Sequence, residues 1–506
     1  MTIMSNDHVY NAIIIGAGYS GLGQGAQFAR DGIDNFLILE KEDQLGGVWR
    51  DNTYPGAACD TQSVIYCFSY FLHLGVSRMY AGREELLGYL NALADEYGLK
   101  DYLRTGQHVT SAVWDETDKV WALTTKEGTR YRSRALVPAW GQLGTPNIPN
   151  FPGLSTFEGI SFHSAEWRHD VDLTGKRVGS IGAAASAVQY VPEVAEVASH
   201  LSVFQRSANY ILPRNQQVFT EEELASFQRN PETYRQLRKS IHNEREAGFE
   251  RTRRQTDAAA EGMRLAREHL ENHIQDPVLR EKFTPDYDFG CKRILRSDDF
   301  YPTFNRENVS LVTEGIERIT PRGIVTRDGV EHEFDVLVFG TGFQSQAFQA
   351  GMEIIGRDGV SLDERWGNAP EAYLGMSVDG FPNMFILYGP NTNLNHHSIV
   401  AMIEAQNRYI RQGVDYLGAD EQNVLDVTPS TLRTFNVQIQ DELSKSAYSS
   451  DCSSWYKNED GKVINNWSGT VAEYHALAAE LNLADYGIIG DAEVAAELDL
   501  AGYGAS

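Results

Sequence analysis

Cysteine is scarce. The 506 residues hold four, Cys59, Cys67, Cys291 and Cys452. None stands in a C-x-x-C or C-x-x-x-x-C pair, so the spacing of a zinc site or of a redox-active dithiol is missing. The expectation is four reduced thiols in a cytosolic protein. Cys291 is read as a packing residue rather than an activated thiol, although Lys292 and Arg293 follow it. Long apolar runs are also missing, and no segment reads as membrane-spanning. The first residues lack the basic-then-apolar layout of a signal peptide. Positive charge is in short supply: Lys plus Arg number 44 against 70 Asp plus Glu, a formal net charge of −26. A chain this acidic repels nucleic acid and anionic membranes. It must therefore concentrate basic side chains wherever it binds an anion. No cluster has the spacing of a metal site. Oligomeric state is not legible.

What is present is the material of a large α/β protein. A 42% hydrophobic content supports an ordinary core, and the length allows about three domains. Tyr10–Ile15, a glycine turn, a helix and Phe36–Glu40 form a first strand–turn–helix–strand unit. Arg177–Ile181, a small-residue turn, a helix and Leu201–Arg206 repeat it. Two such units predict two Rossmann-like, dinucleotide-binding domains with parallel sheets. The proline-rich stretch from Pro146 to Gly153 suits a linker. Residues 220–285 are charged and helical in pattern. They open on a Thr220–Glu223 capping box and are broken at Asn230-Pro231 and Asp276-Pro277, which predicts a helical insertion. Strand-like residues return at Val309–Val312 and Phe334–Phe339, so each α/β domain is expected to be completed by later sequence. The acidic stretch from Ser468 to Ser506 keeps apolar spacing at Leu477, Leu481, Tyr486, Ile488 and Leu498, and part of it is expected to dock as helix.

Gly16-Ala-Gly18-Tyr-Ser-Gly21 follows a strand and opens a helix. The first glycine permits the tight turn, the second lets backbone approach a pyrophosphate, and the third lets helix and strand pack closely. Glu40 ends the next strand, where a carboxylate can accept ribose hydroxyls. The second turn reads Gly182-Ala-Ala184-Ala-Ser186-Ala, and Arg206 and Ser207 follow its second strand. A guanidinium there suits the 2′-phosphate of NADP. Ala184 stands where such turns carry glycine, and its Cβ is expected to crowd the pyrophosphate.

Between the two units lies Phe157-x-Gly159-x-x-x-His163-x-x-x-Trp167. Together with the flanking turns it resembles the fingerprint of type I Baeyer–Villiger monooxygenases. Other segments agree. Gly46-Gly47-Val48-Trp49 and Asn52-Thr53-Tyr54-Pro55-Gly56 look like the flavin-contacting run of flavin monooxygenases. Phe339-Gly-Thr-Gly-Phe343 is similar to the A-T-G-F segment that closes their flavin domain, with Gly340 in place of Ala. The resemblance implies an FAD-binding domain of residues 1–140 and 341–506, an NADP-binding domain of 141–212 and 290–340, and a helical insertion of 213–289. It also implies FAD and NADPH as cofactors and a ketone and O2 as substrates. The product would be an ester or lactone formed through a flavin C4a-peroxide, with sulfoxidation as a side activity.

The same resemblance assigns residues. Phe289-Gly-Cys-Lys-Arg293 matches the segment supplying the active-site arginine, whose fixed charge stabilises anionic oxygen. Asp60 matches the acid that partners it, Lys292 a second 2′-phosphate contact, and Trp455 a contact to the nicotinamide ribose. The residues after Trp455, with Gly389–Ser398, look more like the 4-hydroxyacetophenone monooxygenase branch than the cyclohexanone one. His396 and His397 are read as pocket lining, His163 and Trp167 as a hinge between domains. Arg168 departs from the usual Pro or Asp. The alternatives are an N- or S-oxygenating flavin monooxygenase, which needs no Arg293–Asp60 pair, a disulfide reductase, for which the cysteine pair is lacking, and a non-catalytic flavin-binding protein.

Overall fold

Strands that are apolar on both faces seek helices on both sides of a parallel sheet, and two such sheets organise the chain. The structure is a computed structural model that describes residues 8–346, 348 and 351–487. In the first sheet, Val9–Ile15 lies between Arg130–Pro138 and Phe36–Leu39, parallel to both. Leu103–Arg104 extends one edge in parallel. Val109–Asp115 and Val120–Thr125 extend the other as an antiparallel meander, and late sequence adds Glu353–Ile355 beside them. The second sheet is parallel throughout, in the order Val309–Val312, His200–Phe204, Arg177–Ile181, Val336–Phe339, Ile160–His163.

The two sheets make their crevice in the same way. Gly16 takes φ +106°, and a Cβ on it would lie 2.8 Å from the carbonyl oxygen of Ala139, just past the neighbouring strand. Gly182 takes φ +111°, and a Cβ there would lie 2.3 Å from the carbonyl oxygen of Gly340. Each glycine thus turns the chain at the strand-order reversal where α/β sheets bind ligands. Gly340 has its own reason to lack a side chain: a Cβ would meet the Tyr190 hydroxyl at 2.5 Å. That hydroxyl bonds Ser180 at 2.8 Å.

Two linkers cross between the sheets side by side. Asn147 N–H donates to Gly342 (2.9 Å) and Gln344 N–H to Thr145 (2.9 Å). After the second crossing, Phe385 and Leu387 bond along Leu136 and Pro138, and helix Ile399–Ala419 packs on helix Tyr19–Arg30. The first unit is therefore closed by sequence more than 370 residues away from its glycine turn: Gln24 Nε2 donates to the carbonyl of Asn407 at a separation of 383.

The predicted capping box forms, with Thr220 and Glu223 bonding reciprocally, and Pro231 and Pro277 each start a helix. The insertion has one small cluster, in which Ala266 and Phe289 pack with Tyr210 and Leu212 of the second unit, and otherwise shares the cores of its neighbours. Phe227, Tyr234 and Ile241 join the apolar core of the first unit, whereas Leu270, Ile274 and Phe283 join that of the second. Of the acidic C-terminal stretch, Val471–Leu477 is a docked helix whose Tyr474 hydroxyl donates to Leu374 at 2.6 Å. Ile488 and Leu498 lie outside the described residues. Among the described residues no helix is long and apolar enough to cross a membrane.

The expectation of four reduced thiols is overturned in part. Cys291 and Cys452, 161 residues apart, form a disulfide with a Cα–Cα distance of 6.4 Å; Cys59 and Cys67 are free and buried. Sequence spacing tests only near neighbours, and this pair is made by folding.

Candidate active site at the crevice of two nucleotide units

The first turn is an open cradle. Helix Tyr19–Arg30 begins at Gly18 with no side-chain cap and no acid in its first turn, so its leading N–H groups are available to an anion. Gly21 has to be glycine, since a Cβ would sit 1.9 Å from the Gly16 carbonyl oxygen. Gly47, at φ +53°, packs against Gly18, its would-be Cβ 3.2 Å from the Gly18 Cα. Trp49 beside it donates its indole N–H to the Tyr66 hydroxyl at 3.3 Å. Glu40 is buried and accepts from Ala17 N–H (2.8 Å) and Glu42 N–H (3.0 Å) while pairing with Arg50 at 3.2 Å. Its carboxylate fastens the turn itself, a task not foreseen for it. These residues fit a dinucleotide such as FAD: a glycine cradle that any Cβ would fill, facing an uncapped helix start.

The second turn matches the first. Helix Ala187–Val197 starts at Ser186, again with no side-chain cap, and Ala184 is exposed on the turn. At the end of the neighbouring strand Lys292 Nζ donates to the Ser207 hydroxyl at 2.8 Å. Burial and then the adjacent Arg206 lower the Lys292 pKa. Two cations close enough to act on one another, with Asp286 opposing Arg206 at Lys292, suit a phosphate, and the set fits NADP.

The two units touch through Gln189. It accepts from the Tyr54 hydroxyl (2.9 Å) and donates to the carbonyl of Ala58 (2.9 Å). A Cβ on Gly56 would lie 2.7 Å from its carbonyl oxygen. Burial pushes the Tyr54 phenol up to about 12. Trp167 packs on Phe162 and on Tyr190, whose ring lies 6.1 Å from Tyr54. His163 is fully buried, its ring 5.7 Å from Phe343 in the returning linker. Gly159 is wedged between Phe157 and the Asp335 carbonyl, each 2.5 Å from a would-be Cβ. Arg168, off pattern, pairs with its exposed neighbour Asp170.

At the junction Arg293 donates to one oxygen of Asp60 from Nε (3.0 Å) and Nη2 (2.6 Å), both side chains half-buried. Asp60 holds Arg293 above its ordinary pKa against the opposing effect of burial. Burial would raise Asp60, but Arg293 outweighs it and the carboxyl is lowered. The Cys291–Cys452 disulfide ties the Lys292–Arg293 loop to the segment carrying Trp455, which packs on Tyr456 at 4.8 Å between ring centroids.

Sequence reasoning passed over several neighbours. Tyr388 and Tyr456 lie close enough for the Arg293 charge to act on their phenols. Tyr388 takes φ +58°, a strained conformation for an aromatic residue. The Gly389-Pro390-Asn391 run after it was the available signal. Arg214 donates to the carbonyl of Cys59 at 3.1 Å, and Arg245 Nε to Gln62 at 2.6 Å. No motif marked either. His397 accepts or donates across 2.9 Å to His242. Burial, then His242 and His396, push it down to about 3, so it stays neutral.

Fold and site define a flavoprotein with two nucleotide-binding units. A family model described as pyridine nucleotide-disulphide oxidoreductase matches residues 13–316. A Baeyer-Villiger monooxygenase of Pseudomonas aeruginosa is 38% identical over 475 residues, 94% of this chain and 90% of its own. A steroid monooxygenase structure bound to NADP superposes with TM-score 0.83 at 32% identity, covering 93% and 97% of the two chains. The OTEMO complex with FAD and NADP superposes with TM-score 0.83 at 28% identity, covering 92% and 96%. The chain belongs to the Baeyer–Villiger monooxygenase family and is an FAD-containing, NADPH-dependent monooxygenase.

Proposed function

We propose that this chain converts a ketone, O2, NADPH and a proton into an ester or lactone, NADP+ and water, with Arg293 as the residue that stabilises negative charge on the reacting oxygens. The observation that carries this reading is the Arg293–Asp60 pair, assembled from positions 233 apart at the meeting point of the two nucleotide units. FAD reduced by NADPH supplies the electrons and the activation of O2. The first-turn residues Gly16, Gly18, Gly21, Gly47 and Trp49 would hold the flavin nucleotide. Gly182, Ser186, Arg206, Ser207 and Lys292 would hold NADPH, with Trp455 against its ribose.

Arg293 brings a fork of donors whose charge never leaves. Aimed at a carbonyl, that fork stabilises the oxyanion formed when the carbonyl is attacked. Asp60, kept ionised, orients the fork through two hydrogen bonds to one oxygen. The branch-level likeness to 4-hydroxyacetophenone monooxygenase, carried by Gly389–Ser398, points to aryl ketones as a first panel.

The test is product analysis by mass spectrometry on aryl, cyclic and linear ketones with NADPH and O2, beside an amine and a sulfide. Esters or lactones are expected; oxygenated amine without any ester would overturn the reading. In Arg293→Ala, bleaching of the flavin by NADPH should persist while ester formation falls by about a hundredfold or more, the scale of losing one such donor. Ester formation near the wild-type rate would remove Arg293 from the reaction.

A further inference from the structure

Helix Pro231–Ala247 carries more than packing residues. A cavity of about 250 Å³ opens beside it, and Arg235, Arg238, Lys239, His242 and His397 line it. No acid lines it, in a chain whose formal net charge is −26. Arg238 donates to the carbonyl of Val64 at 2.7 Å, which holds its guanidinium at the wall. Among the described residues, Arg235 has one carboxylate contact, Glu232 at 3.9 Å with both side chains exposed. No carboxylate there pairs with Arg238, Lys239 or His242. Glu246, half-buried, is the acid whose charge reaches His397 on the wall, and it is held by Val471 N–H and Ala472 N–H, each 3.1 Å away.

The arrangement is unfavourable to the empty protein. Arg235 stands three residues from Arg238 and four from Lys239 on one helix, where like charges repel. The NADP phosphate already has Arg206 and Lys292, so this second basic cluster answers to a different anion. Its direction is informative. Arg235, Arg238, His242 and Arg245 follow one another at intervals of three, four and three, a single stripe on the helix. Arg245 ends the stripe at Gln62, two residues from Asp60. Seven residues of helix separate Arg238 from Arg245, a rise of about 10 Å.

We infer that the cavity is a subsite for an anionic end, carboxylate or phosphate, of the ketone substrate, about 10 Å or a little more from the carbonyl that Arg293 serves. The inference rests on the ketone reading above and adds a substrate class to it: ketones with a remote acid group. A field of one sign along the stripe would also draw such a substrate past the acidic exterior.

The test separates binding from turnover. Calorimetric titration of the purified holoenzyme with 10-oxoundecanoate and with its methyl ester should show the acid binding roughly ten- to a hundredfold more tightly, the range of a charge-assisted contact. Lys239→Gln with Arg235→Gln, both at exposed positions, should collapse that ratio towards one; flavin content reports that the variant has folded. Inorganic phosphate should compete with the acid. Equal affinity for acid and ester, or an unchanged ratio in the variant, overturns the subsite. Phosphate binding that leaves the acid's affinity untouched places a free anion in the cavity and also overturns it. Preferential binding of the acid with no oxygenated product from either ketone supports the subsite while counting against the proposed reaction.

Discussion

At the residue scale, small side chains set the chemistry because the nucleotide turns leave no space. Gly16, Gly21 and Gly182 each face a backbone carbonyl within 2.8 Å of a would-be Cβ, so no other residue fits. Ala184 is different: it is exposed on the second turn, where its Cβ would meet a bound pyrophosphate rather than the protein. Ala184→Gly is expected to tighten NADPH binding several-fold, a change of about 1 kcal/mol. Stopped-flow flavin reduction against NADPH concentration measures it, and an equal or weaker Kd would show that the alanine is accommodated. The Arg293–Asp60 pair was legible one residue at a time from motif resemblance. That Asp60 offers a single oxygen to both donors, with Tyr388 and Tyr456 beside the guanidinium, was not, because those contacts join four distant segments.

At the element scale, the loop Phe289–Arg293 is the most heavily constrained. One disulfide fixes it to the segment before Trp455, and Arg293 fixes it to Asp60. Closing a loop of 161 residues restricts the unfolded chain by an amount equivalent to roughly 5 kcal/mol at most. Cys452→Ser, or reduction of the wild-type enzyme, should lower the melting temperature by several degrees. It should also raise the Km for NADPH more than it lowers the rate of ester formation from bound substrate. An unchanged melting curve with and without reductant would mean that the bond contributes nothing in solution. The sequence held both cysteines in view and paired neither, since the pairing depends on chain closure over 161 residues and not on local spacing.

At the scale of the whole molecule, the insertion clamps the two units by giving each a share of its apolar face. Glu246, at the end of helix Pro231–Ala247, caps helix Val471–Leu477 through two backbone N–H groups and lies 3.7 Å from His396. Burial opposes its ionisation, but His396 and those two N–H groups prevail and hold it down to about 2. A carboxyl lowered on folding contributes stability that is present above its unfolded pKa and is lost as pH falls through the folded one. Between pH 4.5 and 2 this group should therefore withdraw on the order of 2–3 kcal/mol. Glu246→Gln should flatten that part of a denaturant-midpoint curve against pH, and a slope identical to wild type would show that other carboxyls account for it.

The sequence by itself determined what depends on short-range rules: two strand–turn–helix–strand units, their glycines, the proline starts and capping box of the insertion, and the motif residues of a recognisable family. Glu40 shows the limit, since its position was legible but its three protein partners were not. Only the tertiary structure decided that Cys291 meets Cys452, that the insertion divides its apolar face between two cores, and that a basic stripe leads from a cavity towards Asp60. The reason is physical. Turn geometry and helix periodicity act over a few residues and leave a pattern in the chain. Disulfide closure, shared burial and charge clustering arise between segments tens to hundreds of residues apart, where only the folded arrangement sets the distance.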